Sequence, residues 1–271
     1  MPVDKITTED VLAVLQPLWQ TKRITADRLR ARIERVLDAA KARKLIASPY
    51  ENPARWRGHL DHILPRRKRL EQQHHAALPY DQVPAFLREL QAREGLGARA
   101  LQLAILTAMR TGETRGARWD EIDLEGAVWV IPGERMKSGR THRVPLSRAA
   151  LAVLEPLHAA RTGPFVFPGA RAGTHLARAA LRKALERVGV DGTVHGFRSS
   201  FRDWASETTS FPHEVCEQAL AHTVGSAVER AYRRGDVFEK RRQLMEAWAE
   251  FCTAERGKVL AFQERGLPAR P

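Results

Sequence analysis

The chain has 271 residues, 43% of them hydrophobic and 28% charged, with a formal net charge of +13 and a pI near 10.5. That is enough for one large domain or two smaller ones with real cores. No apolar run approaches the roughly 18–20 residues needed to span a bilayer, so no membrane partner is expected. A surface this basic favours polyanions, nucleic acid first, because neutralising phosphates with counterion release supplies most non-specific affinity. A solvated basic surface without a ligand fits the charge equally well. Cys216 and Cys252 are the only cysteines, too few and too far apart for a disulfide framework, which suits a reducing cytoplasm. Met1–Asp10 carries acidic residues and lacks an apolar core, so no signal peptide is expected.

The first element is a short helix from Thr7 to about Trp19. Thr7 and Asp10 have capping-box spacing, and Val11, Leu12, Val14, Leu15 and Leu18 form an apolar stripe. A longer helix from about Thr25 to Leu45 lines one face with Leu29, Ile33, Val36, Leu37 and Ala40, with arginines on the others. Asn52-Pro53 breaks it, and a short piece at Trp56–Leu64 follows. The sharpest composition shift is Pro65-Arg66-Arg67-Lys68-Arg69, which reads equally as a linker or as a strap lying on a polyanion. The domain boundary is placed at about residue 72, giving domains 1–72 and 73–255 with a frayed tail at 256–271. Residues 1–75 hold 16 basic against 9 acidic side chains, so the smaller domain carries more than half of the surplus charge.

Beyond the boundary, helical periodicity appears at Asp81–Arg93 and Ala98–Met109. Ala127–Pro132 and His142–Leu146 read as strands joined by a turn at Ser138-Gly139. A helix from about Arg148, a short strand at Phe165–Phe167, and helices at Thr174–Val188, Phe197–Glu207, His213–Leu220, Ala227–Gly235 and Phe238–Ala254 complete the pattern. The fold class is therefore mainly α with a small antiparallel sheet (α+β).

Six residues in the last two thirds carry chemistry: Arg110, Lys137, His195, Arg198, His222 and Tyr232. Arg110 is read as ending the long apolar helix, with Thr111-Gly112 as its stop. His195 and Arg198 are three apart near a helix start and share a face. Two guanidiniums can clamp the non-bridging oxygens of one phosphate through bidentate hydrogen bonds. Lys137, at the hairpin turn, would protonate a departing 5′-oxygen too basic to leave alone. Tyr232, on a predicted helix, would supply an oxygen nucleophile. A phenol of pKa about 10 needs nearby cations and a base to act at neutral pH, and Arg230, Arg233, Arg234 and His222 are close in sequence. Taken singly, each has a plain structural explanation: a packing tyrosine, a solvated turn lysine, an arginine offsetting a helix dipole.

Other patterns are decoys. Gly95–Ala100 fits a nucleotide-binding glycine pattern, but no strand precedes it and no acidic partner follows at the expected distance. His213 and Cys216 have ligand-like spacing without a second pair to complete a zinc site. Trp119, Trp129, Trp204 and Trp248 read as core anchors.

With these residues placed, the chain resembles the tyrosine recombinases, and within them the prophage integrases of satellite-phage type, from about Ile6 to Cys252. The most specific stretches are TAMRTGETRGARWDEIDL, RMKSGRTHRVPLS, HGFRSSFRDWASE and LAHTVGSAVERAYRRGD. The resemblance implies a helical core-binding domain and a mixed catalytic domain clamping double-stranded DNA at attachment sites. It further implies a homotetramer on DNA, accessory DNA-bending proteins and a bacterial, cytoplasmic, nucleoid-associated location. By the same resemblance, Arg110, Arg198 and His222 bind the scissile phosphate, His195 is general base to Tyr232, Lys137 is general acid, and Tyr232 forms a 3′-phosphotyrosyl link. No metal, ATP or other cofactor is implied. The helix from Phe238 would pack on a neighbouring protomer, although its apolar stripe also fits ordinary core. Against full-length relatives the chain is read as N-terminally shortened, and the alternative function is a truncated remnant that binds DNA without exchanging strands. A type IB topoisomerase would use the same chemistry, but the motif wording is integrase-like.

Overall fold

The computed structural model describes residues 1–65, 77–223 and 237–254. The arginines and lysine of the basic run, the expected helix Ala227–Gly235 with Tyr232, and the tail after Glu255 lie outside the described residues. The chain divides into two compact units, Met1–Gln72 and Gln73–Pro271. The fold class expected from the sequence is the one observed: mainly helical, with one small antiparallel sheet. Among the described residues no helix is long and apolar enough to cross a membrane.

In the smaller unit, α1 (Thr8–Trp19) opens with the expected capping box, Thr7 and Asp10 each bonding the other's backbone N–H. Its buried residues Val11, Leu15 and Trp19 are spaced by four and meet Leu37 and Ala40 of α2 (Arg23–Ala42). The Trp19 indole donates to the Pro65 carbonyl at 3.2 Å, and the Arg23 guanidinium lies 3.6 Å from its ring centroid. Asn52 is more than a helix breaker. Its buried amide donates to Glu34 O and Asp38 Oδ1 and accepts from Ala54 N, fixing the loop against α2. Trp56–Leu60 is an irregular turn with Gly58 at φ +70°, followed by the single turn α3 (Asp61–Ile63).

In the larger unit, α4 (Val83–Gln91) packs on α5 (Leu96–Thr107), whose residues from Ala100 to Thr107 are all buried. A helix buried on every side over two turns, its Gln102 and Thr107 side chains bonded to the Leu90 and Leu103 carbonyls, is the natural centre of a layered helical domain. The short helix α6 (Thr111–Arg115) leads to a three-stranded sheet in the order β1 (Ile122–Asp123), β2 (Val128–Ile131), β3 (His142–Pro145). Both neighbouring pairs are antiparallel, with Trp129 opposite Val144 and Ile131 opposite His142. Trp129 and Ile131 are buried while Val130 between them is exposed, the alternation of a sheet with one face on the core. The helices α7 (Arg148–Ala159), α8 (Arg178–Val188), α9 (Gly196–Thr208), α10 (His213–Ala219) and α11 (Phe238–Thr253) follow.

Two expectations are corrected. Phe165–Phe167 is not a sheet strand; it pairs only through an isolated bridge, Arg118 with Phe165, and bonds such as Val166 N to Ala117 O at 2.9 Å. The helix expected from Thr174 starts at Arg178, because His175 bridges back to Pro168 and Leu176 N donates to Phe167 O. The two-residue β1 is too short to leave a periodic signal. Of the two readings left open for the α11 stripe, ordinary core is the one observed: Leu244, Met245 and Trp248 are fully buried, and the Trp248 indole donates to Ile105 O of α5 at 2.8 Å. Trp248 also stacks on Phe251 and meets Phe201 and Trp204.

Candidate active site

Arg198 is the centre of the site. It is 5% exposed on the first turn of α9. One terminal nitrogen donates to the carbonyl of Ala108, the other to the carbonyl of Leu220 and to His222 Nε2 at 3.2 Å. Ala108 caps the C-terminus of α5 and Leu220 that of α10. Two helix ends, each with orphan carbonyls and a negative dipole end, thus converge on one cation. Burial first, and then the nearby Arg110 charge, lower the Arg198 guanidinium to about 10. The three acceptors use three of its five N–H donors, leaving two for a ligand.

This packing corrects the setting of Arg110. Its helix ends not at Thr111-Gly112 but at Ala108, which adopts the left-handed conformation at φ 53°. The stop is an alanine whose carbonyl is held by an arginine 90 residues further on, so no local signal marks it. Arg110 itself is extended and leads into α6. The buried Glu113 carboxylate accepts from both the backbone N–H of Arg110 at 3.0 Å and its guanidinium at 2.9 Å, fixing its direction.

His222 follows from the way α10 ends. His222 N donates to Glu217 O and Ala221 N to Gln218 O, both at 3.0 Å, with Ala221 left-handed at φ 51°. This is a Schellman ending with alanine where glycine is the usual residue. Because Ala221 bears the left-handed cost of about 1–2 kcal/mol, Ala221→Gly is expected to raise stability by about 0.5–1 kcal/mol after the larger unfolded-state entropy of glycine is counted. Urea unfolding checks this, and an unchanged or lowered midpoint would contradict it. The imidazole Nδ1 lies 2.8 Å from Glu217 Oε2, and Arg202 Nε of α9 lies 2.6 Å from Glu217 Oε1. Burial alone would raise the Glu217 carboxyl, but the bonds to His222 and Arg202 outweigh it and hold the group below its ordinary value.

His195 is exposed immediately before α9, one turn ahead of Arg198, as its spacing implies. Lys137 is exposed in the β2–β3 loop, in a turn closed by Gly139 N to Met136 O at 3.0 Å with Gly139 at φ +69°. A Cβ on Gly133 would lie 2.6 Å from the Gly139 carbonyl, so the two arms of the loop approach closely. Among the described residues no hydrogen bond or ion pair joins Lys137 to the arginines. Tyr232 lies outside the described residues. The structure therefore brings together Arg110, Arg198 and His222, places His195 on the same helix as Arg198, and leaves Lys137 at a separate loop tip.

Sequence reasoning missed the supporting groups. Glu113 and Glu217 carry a faint signal, three residues after Arg110 and five before His222. Arg135 and Glu121 carry none. The Glu121 carboxylate, with a side chain only 6% exposed, accepts from Arg135 and from the Trp129 indole at 3.0 Å. The other end of the Arg135 guanidinium donates to Glu113 O at 2.6 Å. Arg135 thus ties the root of the Lys137 loop to the segment that carries Arg110.

The family model described as Phage integrase family matches residues 77–237, and that described as Phage integrase central domain matches residues 1–59. The chain belongs to the phage integrase family. Prophage integrase IntZ of Escherichia coli (strain K12) is 36% identical over 250 residues, covering 90% of this chain and 60% of that protein. Prophage integrase IntA of the same strain is 39% identical over 182 residues, covering 64% of this chain and 43% of that protein. The integrase of Enterobacteria phage P4 is 31% identical over 210 residues, covering 70% and 48%. The chain therefore spans less than two thirds of the length of each. Among solved structures, a lambda integrase dimer bound to a COC′ core site aligns with TM-score 0.57 at 18% identity, over 82% of this chain and 81% of that one. The Tn1549 transposon integrase with a circular intermediate DNA gives 0.60 at 14% identity, over 91% and 87%. At these identities the likeness carries the fold.

Proposed function

We propose that this chain is a tyrosine site-specific recombinase that cleaves and rejoins double-stranded DNA at attachment sites. The observation that carries the reading is Arg198, a buried cation fixed by two helix ends and His222, with the Arg110 charge beside it. Burying that charge is costly. The arrangement repays the cost if an anion arrives whose charge grows in a transition state, as on a phosphoryl group under attack. Arg110 and Arg198 then bind the non-bridging oxygens of the scissile phosphate, and His222 donates a further hydrogen bond. The Tyr232 phenol oxygen attacks phosphorus as His195 takes its proton. The bond to the 5′-oxygen breaks, and Lys137 supplies the proton that lets it leave as a hydroxyl. The 3′-phosphotyrosyl link keeps the energy of the broken diester, so rejoining to a new 5′-hydroxyl draws on no nucleotide hydrolysis.

The IntZ, IntA and phage P4 relatives are integrases by name, and solved relatives include a lambda integrase tetramer bound to a Holliday junction. These support double-stranded DNA as the substrate, prophage integration as the role and four copies as the working assembly; DNA-bending proteins as accessory partners belong to the proposal alone. The workplace is then the bacterial cytoplasm, at the nucleoid. In that assembly the smaller unit grips DNA as a core-binding domain and the unit from residue 73 holds the chemistry.

Tyr232→Phe is expected to abolish covalent DNA attachment while DNA binding on a native gel is kept, because one oxygen is removed. The assay is adduct formation on nicked suicide duplexes carrying candidate attachment sites, resolved on a denaturing gel. Cleavage by the variant at the wild-type rate would remove Tyr232 from its role. Binding without an adduct from the wild type would identify a DNA-binding remnant. Lys137→Ala is expected to lose most cleavage on an ordinary duplex and to recover on one with a 5′-thiolate leaving group, which needs no proton. Equal loss on both would show that Lys137 is not the acid.

A further inference from the structure

We infer that Glu217 is a positioning residue for the reaction, holding His222 so that its imidazole presents a proton to the DNA phosphate. The inference rests on the reading of His222 as a phosphate donor.

The argument starts from the chain path. The Schellman ending of α10 folds residue 222 back over residue 217, so the pair is joined twice, by His222 N to Glu217 O at 3.0 Å and by Nδ1 to Oε2 at 2.8 Å. The carboxylate is fixed in turn by Arg202, one helical turn after Arg198 on α9. One face of α9 therefore brackets the pair: Arg198 touches the imidazole and Arg202 touches the carboxylate.

Donor and acceptor roles then follow without choice. An arginine only donates, so His222 Nε2 accepts from Arg198 in the free protein, and the imidazole proton sits on Nδ1 and is given to Glu217. A phosphate oxygen also only accepts. For His222 to serve it, Nε2 must carry a proton as well. With Nδ1–H committed to Glu217, the imidazole gains Nε2–H by taking a second proton, and Arg198 turns its released N–H to the same phosphate. The anion in front and the carboxylate behind both favour that cation. Among the described residues, the charged groups facing His222 are Arg198 of α9, which opposes charging, and Glu217, which favours it. Arg202 and His213, at 3.8 Å, act through Glu217, and Arg110 acts through Arg198. A carboxylate that merely tied α10 to α9 would affect stability and leave the proton on His222 alone.

The test is the pH dependence of single-turnover adduct formation on a nicked suicide duplex by wild type, Glu217→Gln, His222→Gln and the double variant. The sign is fixed. Loss of a neighbouring negative charge disfavours the imidazolium, so a step that needs the imidazolium should fail sooner as pH rises. In Glu217→Gln the high-pH decline should therefore move to lower pH by one unit or more, an approximately tenfold loss of rate on that limb with little change below it. His222→Gln, a donor that does not titrate, should lack the decline, and adding Glu217→Gln to it should change little. NMR titration of the His222 ring in the free protein should show the same downward shift in Glu217→Gln, and this readout needs no activity. A uniform loss of rate at every pH, with the His222 titration unmoved, would overturn the inference and leave the recombinase reading standing. No adduct from the wild type at any pH would overturn that reading, and the inference with it.

Discussion

Arg198→Met is expected to slow strand cleavage by about 10²–10³-fold, the usual cost of losing one preplaced donor, while changing stability by no more than about 3 kcal/mol. The two effects separate because Arg198 serves the site at the expense of the fold. Its guanidinium is lowered to about 10, by burial and then by Arg110, so the unfolded chain binds that proton more tightly. Below pH 10 the group is charged in both states, and folding carries the cost of the buried charge, roughly 3 kcal/mol by linkage. Stability from this group would rise only as pH climbs above about 10. Methionine removes that cost and fills much of the volume. Against it stand the carbonyls of Ala108 and Leu220, which lose their donor at about 1–3 kcal/mol each. The contributions are of opposite sign and similar size. Urea unfolding beside single-turnover cleavage reads both. A variant that lost most of its stability would make Arg198 a strut of the fold first and a ligand second.

Arg135→Met should do the reverse. Here the arginine is the partner of a buried carboxylate, and removing it strands the Glu121 charge beside the Trp129 indole. Breaking a buried pair on one side costs about 3–5 kcal/mol, a large share of the stability of a domain this size. Arg135→Met/Glu121→Gln should recover part of that loss, since a neutral amide can still accept from the indole. Cleavage by the single variant should also fall at temperatures where it stays folded, because Arg135 joins the Lys137 loop to Glu113 O and so to Arg110. A fall of less than about 1 kcal/mol would place Glu121 in contact with water and remove the tie.

How far the sequence speaks depends on how local the cause is. The capping box of Thr7 and Asp10 is set within four residues and is found where the pattern places it; of the stripe expected on α1, Val11 and Leu15 are buried together with Trp19, while Val14 faces solvent. The end of α5 is not local. Gly112 is the obvious stop, yet the helix turns left-handed at Ala108 because Arg198 reaches its carbonyl from α9. Glu217 escaped notice for the same reason: a carboxylate five residues before a histidine faces it only when the helix ends in a Schellman turn. The strand at Ile122–Asp123 leaves no signal and Phe165–Phe167 makes only a bridge, because single bridges and two-residue strands follow tertiary partners more than pattern. Of the six residues expected to carry chemistry, Arg110, Arg198 and His222 lie together in the fold. Their types and order are visible in the chain, whereas Glu113, Glu121, Arg135 and Glu217 act through contacts that exist only once it is folded.

The most direct test of the account is to map the covalent link itself. The protein is incubated with a nicked suicide duplex in buffer containing EDTA and no ATP, the DNA is trimmed with nuclease, and the peptides are sequenced by mass spectrometry. The account predicts a nucleotide joined through its 3′-phosphate to Tyr232, and unmodified Tyr50 and Tyr80. A link to another residue, a 5′-phosphate attachment, or an adduct that forms only when metal is restored would contradict it.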